Sequence, residues 1–171
     1  IAGGAGLILV PAFLIAGFSP QVALGQEKLV STIGTISAIR NFMKSKSILW
    51  KIVPLGIVTS LIGAYIGSKM ILWLPAEMVY YIILALIPVG LLFTIYKSTI
   101  KQKHNDTTTL QFSAISMMVT CFVVGFYDGF FGPGTGTFWT IALVTLLGLN
   151  LKKATAQTKV MNFTSNIVSL A

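Results

Sequence analysis

Residues 125–138 read Gly125-Phe126-Tyr127-Asp128-Gly129-Phe130-Phe131-Gly132-Pro133-Gly134-Thr135-Gly136-Thr137-Phe138, and this stretch decides the fold. It lies between two strongly apolar runs and combines a carboxylate with a cluster of glycines and a proline. Because these residues interrupt helices, the stretch predicts a helix that stops and restarts as a shorter segment. The start of the chain, Ile1-Ala2-Gly3-Gly4-Ala5-Gly6-Leu7-Ile8, opens another apolar run with the same small residues and predicts a second copy of this device.

The composition indicates that the chain lies in a lipid bilayer. Hydrophobic residues make up 55% of it and charged residues 9%, with a mean hydropathy of +0.87, whereas a soluble domain carries about 25% charged residues. The net charge of +8 would favour nucleic-acid binding in a soluble chain, but here the cations lie between apolar runs. We therefore predict an all-α integral membrane protein, a polytopic helical bundle that does not bind nucleic acid.

Apolar runs of helix length give the predicted order of segments. Two clean spans are expected at 52–73 and 78–96, a third at 112–131, short segments at 7–18 (broken by Pro11) and 137–149, and polar helices at 23–42 and 154–171. A short segment cannot cross about 30 Å of hydrocarbon alone. Pro88 predicts a kink in the second span. In the first span, Gly63-x-x-x-Gly67 predicts the close approach of a neighbouring helix.

The cationic loops predict the topology and the division of the chain. Loops at 44–51, 97–111 and 152–153 are rich in lysine, which favours the cytoplasmic side, and the turns at 17–20 and 74–77 then lie on the other side. We predict a first half at 1–96, a cytoplasmic linker at 97–111 and a second half at 112–171. Because the chain starts with Ile1 and stops inside an apolar segment, both halves are expected to be truncated.

An internal repeat relates the two halves. A shift of 131 positions lays Gly17 on Gly148, Ala23 on Ala154, Gln26 on Gln157, Lys28 on Lys159, Ser31 on Asn162 and Thr35 on Asn166. Each copy therefore has a lysine followed by small polar residues three and seven positions later, on one helical face. The predicted loops place the copies in opposite senses. The sequence thus predicts two inverted-topology repeats with glycine-broken helices.

This arrangement predicts an anion site in a secondary transporter, because such proteins place binding sites where interrupted helices meet near the midplane. The N-terminus of a broken helix carries partial positive charge, and an intramembrane lysine adds a full one. The predicted substrate-binding residues are Lys28, Ser31, Thr35, Lys159, Asn162 and Asn166, with the backbone at Gly4, Gly6, Gly134 and Gly136. Asp128 and Glu27 are the candidate coupling or gating acids.

Structural interpretations of the same residues remain open. Lys28 and Lys159 could extend to the lipid headgroups, Asp128 could cap the broken helix, and the glycines could serve helix packing alone. A single cysteine, Cys121, and the loop histidine His104 have no metal-ligand spacing around them, so neither a metal nor a cofactor is predicted. No Ser/His, Cys/His or paired-carboxylate set is available, so the chain is not predicted to be an enzyme.

Residues 125–138, followed by Asn150-Leu151-x-Lys153-Ala154-Thr155-Ala156-x-x-Lys159-Val160-x-Asn162-x-Thr164-Ser165-Asn166, resemble the second half-motif of the TauE/SafE sulfite-exporter-like family. Gly3-Gly4-x-Gly6-Leu7-Ile8-x-Val10-Pro11-Ala12 resembles the first. The resemblance implies a multi-pass carrier of the bacterial inner membrane for sulfite, sulfonates or related small organic anions, coupled to a proton or ion gradient. The chain departs from the family pattern at Gly25-Gln26-Glu27-Lys28, where an extra acid appears. The alternative function is a non-transporting membrane scaffold or assembly protein.

Overall fold

A computed structural model of the chain describes residues 4–50, 53–99 and 114–170. These ranges contain seven α-helices and no β-strand, which confirms the all-helical prediction. The helices are α1 (Gly6–Ile15), α2 (Pro20–Lys44), α3 (Val53–Trp73), α4 (Ala76–Thr99), α5 (Ala114–Phe130), α6 (Thr135–Leu147) and α7 (Leu151–Leu170). Gly3 of the first predicted break and residues 100–111 of the predicted linker lie outside the described ranges.

The observed helix limits differ from the predicted ones by a few residues, and the differences in α1 and α4 have a clear physical reason. Pro11 lies inside α1 instead of breaking it, because a helix in an apolar environment must keep its remaining backbone groups paired internally even where proline removes one hydrogen bond. Helix α4 continues to Thr99, three residues beyond the predicted span, and contains Pro88 in its interior. Lysine is a good helix former, so Lys97 does not end the helix.

The bundle differs from a water-soluble protein because it buries charged side chains and exposes many large apolar ones. Lys28 and Asp128 are buried, whereas Ile33 of α2 and Leu92 of α4 are 70% and 67% exposed. Exposed apolar faces around buried charges are expected where the surrounding medium is hydrocarbon. By length and composition, two of the described helices can cross a membrane, namely α3 and residues 76–96 of α4.

Helices α3 and α5 pack backbone to backbone through glycines. A Cβ atom added at Gly63 would collide with the main-chain oxygen of Phe122, and one at Gly67 with that of Phe126. In the other direction, a Cβ at Gly129 would collide with the main-chain oxygen of Ala64. The prediction that the Gly63-x-x-x-Gly67 face receives a neighbouring helix is therefore confirmed, and the neighbour is α5.

Helix α7 lies at the centre of the bundle and packs against α2, α3, α5 and α6. It runs antiparallel to α2, since Ser31 of α2 contacts Asn166 near the end of α7, while Ile39, further along α2, packs in the cluster that contains Ala156, near the start of α7. The polar faces predicted on α2 and α7 therefore meet inside the bundle.

Two hydrogen bonds define the ends of the bundle. The Gln21 side-chain amide donates to the main-chain oxygen of Leu74 at 3.1 Å, which brings together the turns that precede α2 and α4. The Gln157 amide donates to the main-chain oxygen of Ser47 at 3.2 Å, which brings the loop after α2 to the start of α7. We refer to these as the Gln21 end and the Ser47 end.

Candidate substrate site

A cavity of about 310 Å³ lies among α1, α2, α7 and the turn between α5 and α6. Of the twelve residues that the sequence predicted for substrate binding or coupling, nine line it: Gly6, Glu27, Ser31, Thr35, Asp128, Gly134, Gly136, Lys159 and Asn162. Gly4, Lys28 and Asn166 lie outside its wall. The sequence did not predict the small and apolar residues of the wall, which include Leu9, Val30 and Gly34.

The turn between α5 and α6 needs glycine at two positions. Gly132 and Gly134 have φ angles of +92° and +84°, a region that other residues rarely adopt. In the first turn of α6, the N–H groups of Thr135 and Thr137 donate to the carbonyls of Gly132 and Gly134. The N–H of Gly136 donates to no main-chain oxygen among the described residues. The positive end of α6 thus presents an N–H group where it borders the cavity.

Glu27 is held by the two glycine-rich segments. A Cβ atom at Gly6 would lie 2.6 Å from Glu27 Oε1, and one at Gly132 would lie 3.2 Å from Glu27 Oε2. The carboxylate therefore packs against backbone on both sides and borders the cavity between them. The same Cβ at Gly132 would lie 3.0 Å from Lys28 Nζ, so any larger residue there would displace both side chains.

Lys28 and Asp128 form a buried ion pair, with Lys28 Nζ 3.6 Å from Asp128 Oδ1. The ammonium also donates to the main-chain oxygen of Asp128 and, at 3.5 Å, to Asn166 Oδ1. Asn166 Nδ2 donates to Ser31 Oγ at 3.1 Å, and the Ser165 hydroxyl donates to Asp128 Oδ2. These contacts join α2, α5 and α7 and exclude the interpretation that Lys28 extends to the headgroups. Within the part of the chain that the structure describes, neither Asp128 nor any other side chain caps the start of α6.

Lys159 is the lysine of the predicted site that is available to bind a ligand. It is partly buried and lines the cavity, and its ammonium has no hydrogen bond or ion pair with any residue in the ranges 4–50, 53–99 and 114–170. Asn162, one turn further along α7, is buried on the same wall. The Thr35 hydroxyl donates within α2, to the carbonyls of Ser31 and Thr32. In this arrangement Thr35 offers a ligand an oxygen acceptor and no donor.

Ser165 is a member of the buried network that sequence reasoning did not assign to the site. It is fully buried, and its partner Asp128 lies 37 positions earlier, on another helix. The available signal was its place beside Asn166 on the polar face of α7, because helices that bury polar residues in a membrane pair them with one another.

Comparison with known proteins decides the family. The profile described as "Sulfite exporter TauE/SafE" matches residues 1–171. The chain belongs to the TauE/SafE family. The TauE/SafE chain is 40% identical, over 100% of its length, to a "Probable membrane transporter protein" of Haemophilus influenzae, and 37% identical, over 99%, to the "Probable membrane transporter protein YfcA" of Escherichia coli. It is also 36% identical, over 98% of its length, to the "Probable membrane transporter protein ORF9" of a Sinorhizobium species.

The TauE/SafE chain spans 66% and 62% of the length of the Haemophilus and Escherichia relatives. All three relatives carry the name of a membrane transporter and none that of an enzyme, which fits the prediction of a non-enzyme. No solved structure matches the TauE/SafE chain.

Proposed function

We propose that this chain forms the substrate-binding part of a multi-pass secondary transporter that carries a small anion, such as sulfite or a sulfonate, across the bacterial inner membrane. The observation that carries this proposal is the Lys159 ammonium, which lines a cavity of about 310 Å³ and has no counter-charge among the described residues. A partly buried lysine without a partner is unfavourable in a membrane, and an anionic ligand supplies that partner.

The cavity offers three kinds of contact to such an anion. Lys159 supplies the charge, the Asn162 side-chain amide can donate a hydrogen bond, and the N–H of Gly136 at the start of α6 can donate another. The volume lies at the lower end of the range of about 300–1,000 Å³ for small-molecule sites, which favours a substrate of a few heavy atoms.

Two observations support the proposed inverted repeat and its role in exposing the site to either side in turn. Helices α2 and α7 start at Pro20 and Leu151, 131 positions apart, and each follows a short helix and a glycine at positive φ, Gly17 or Gly148. The two helices run antiparallel, as copies of opposite orientation require. The division into halves at 1–96 and 112–171 remains a prediction.

The decisive variant is Lys159→Gln, which removes the charge with little change in side-chain length. We expect anions to raise the melting temperature of the detergent-solubilised wild-type protein, because a ligand that binds the folded state stabilises it. The test panel is sulfite, sulfate, thiosulfate, sulfoacetate and short carboxylates. Loss of one charged hydrogen bond of about 1.5–3 kcal/mol should weaken binding by roughly 10- to 100-fold in the variant.

Lys152→Gln is the matched control, because Lys152 is an exposed lysine in the first turn of the same helix. It should respond to anions as the wild-type protein does. The proposal fails if Lys159→Gln keeps full anion stabilisation and full flux in proteoliposomes. The scaffold alternative predicts instead that no anion stabilises the wild-type protein and that Lys159→Gln lowers its thermal stability.

A further inference from the structure

The Glu27 carboxylate is the second charge in the cavity wall without a partner. Its side chain is 6% exposed and lines the cavity. It has no hydrogen bond or ion pair with any residue in the part of the chain that the structure describes. Burying a carboxylate without a donor or a counter-charge is unfavourable by several kcal/mol. Among the described residues the carboxylate has only the through-space attraction of Lys28, which Asp128 opposes, so a bound proton would supply the missing positive charge.

The charged groups around Glu27 are few. Lys28 follows it on α2, Asp128 approaches from α5 and Lys159 lines the same cavity from α7, while α1 contributes the backbone at Gly6. Lys28 and Asp128 balance each other in their ion pair. What remains is one negative group, Glu27, and one positive group, Lys159, which do not form an ion pair with each other.

We propose that Glu27 binds a proton when an anion occupies the Lys159 side of the cavity, so that the protein moves one proton with each anion. This inference rests on the proposed function as an anion carrier. An anion at Lys159 neutralises the one unpaired cation among the described residues of the cavity wall, and it leaves the negative charge of Glu27 in a wall that includes Leu9 and Val30. Addition of a proton to the carboxylate gives a neutral carboxylic acid, and its release on the other side completes the cycle.

Asp128 is not the proton carrier in this scheme. Both of its carboxylate oxygens have partners, Lys28 on one and Ser165 on the other, and neither oxygen borders the cavity without a partner as the Glu27 carboxylate does. The two candidate coupling acids therefore have different roles in this scheme. Asp128 fixes Lys28, and Glu27 exchanges protons with the cavity.

A first test is infrared difference spectroscopy of the purified protein, with and without thiosulfate, between about pH 5 and 9. We expect the wild-type protein to show a protonated-carboxyl band that appears as the pH falls, and Glu27→Gln to lose it. Glu77→Gln, at the exposed start of α4, is the matched control and should change at most the signal of a surface carboxylate. An unchanged carboxyl band in Glu27→Gln would overturn the proposal.

The coupling itself is measured as uptake of labelled thiosulfate into proteoliposomes, because this anion keeps its charge over that pH range. An inward proton gradient should drive accumulation several-fold above equilibrium in the wild-type protein. Glu27→Gln should still exchange thiosulfate but no longer accumulate it, whereas Lys159→Gln should lose both. Accumulation of thiosulfate by Glu27→Gln would contradict the proton role of Glu27 but would not contradict the proposed function as an anion carrier. Tighter binding of a small zwitterion than of the matched anion, lost in Glu27→Gln, would assign Glu27 to a substrate ammonium group instead.

Discussion

At the scale of single residues, the ion pair between Lys28 and Asp128 is the contact on which the buried network depends. Lys28 is contacted by α5 through Asp128 and by α7 through Asn166. Such a pair adds little net stability relative to an apolar pair of the same shape, but removal of one partner leaves a bare charge in a low-dielectric interior. The pair thus fixes the position of α2 relative to α5 and α7 more than it adds to the total stability.

Asp128→Asn should therefore destabilise the protein severely. Loss of the counter-charge of Lys28 is expected to cost about 3–5 kcal/mol, read as a large fall in the melting temperature of the detergent-solubilised protein. Lys28→Gln combined with Asp128→Asn should recover part of that loss, because no unpaired charge remains.

Ser165→Ala is the matched control for the same network. It removes one hydrogen bond to Asp128 and leaves the ion pair in place, so we expect a loss of about 1 kcal/mol. A melting temperature for Asp128→Asn equal to that of the wild-type protein would show that Lys28 has another counter-charge.

At the scale of elements, the glycine contact between α3 and α5 holds the helix that carries Asp128. Each helix places glycines against the backbone of the other. A side chain at one of these glycines would push the two helices apart. Without a strong hydrophobic driving force between helices in lipid, such close backbone packing supplies much of the attraction.

Gly129→Ala should separate α3 from α5, since its Cβ would meet the main-chain oxygen of Ala64, which cannot rotate away. We expect a lower melting temperature. The corresponding loss in the free energy of unfolding should be about 1–3 kcal/mol, as is typical of an overpacked core. Gly25→Ala in α2 is the control, because an added Cβ there meets no atom within 4 Å. It should be neutral or slightly stabilising, since alanine favours the helix by about 1 kcal/mol. Equal effects of the two substitutions would contradict the packing argument.

At the scale of the whole molecule, the two ends of the bundle differ in charge. Lys44, Lys46, Lys152 and Lys153 gather at the Ser47 end, and the described residues at the Gln21 end include no comparable group of cations. The positive-inside rule therefore predicts that the Ser47 end faces the cytoplasm.

Cysteine labelling tests this orientation in a variant whose buried Cys121 is replaced by alanine. Ser19→Cys and Ser45→Cys place single thiols at exposed positions of opposite ends. A membrane-impermeant maleimide added to intact spheroplasts should label Ser19→Cys directly and Ser45→Cys only after permeabilisation. Labelling of both from the same side would show that α2 does not cross the membrane, and the reverse pattern would invert the proposed topology.

The sequence by itself determined the membrane setting, the helices and most of the site wall. These follow from local information: apolar runs long enough to cross hydrocarbon, glycines that allow positive φ at 132 and 134, and lysine-headed polar faces on α2 and α7. The TauE/SafE motifs likewise lie in continuous stretches, so they could be found without a structure.

Only the tertiary structure decided which charges are free. Lys28 and Lys159 are equivalent by spacing, yet one is bound to an aspartate 100 positions away and the other faces the cavity alone. Pairing between distant helices depends on how closely their backbones approach, which the glycines of α3 and α5 set and no local pattern encodes. In the fold Asp128 is the counter-charge of Lys28, and the proposals for the cavity therefore rest on Lys159 and Glu27.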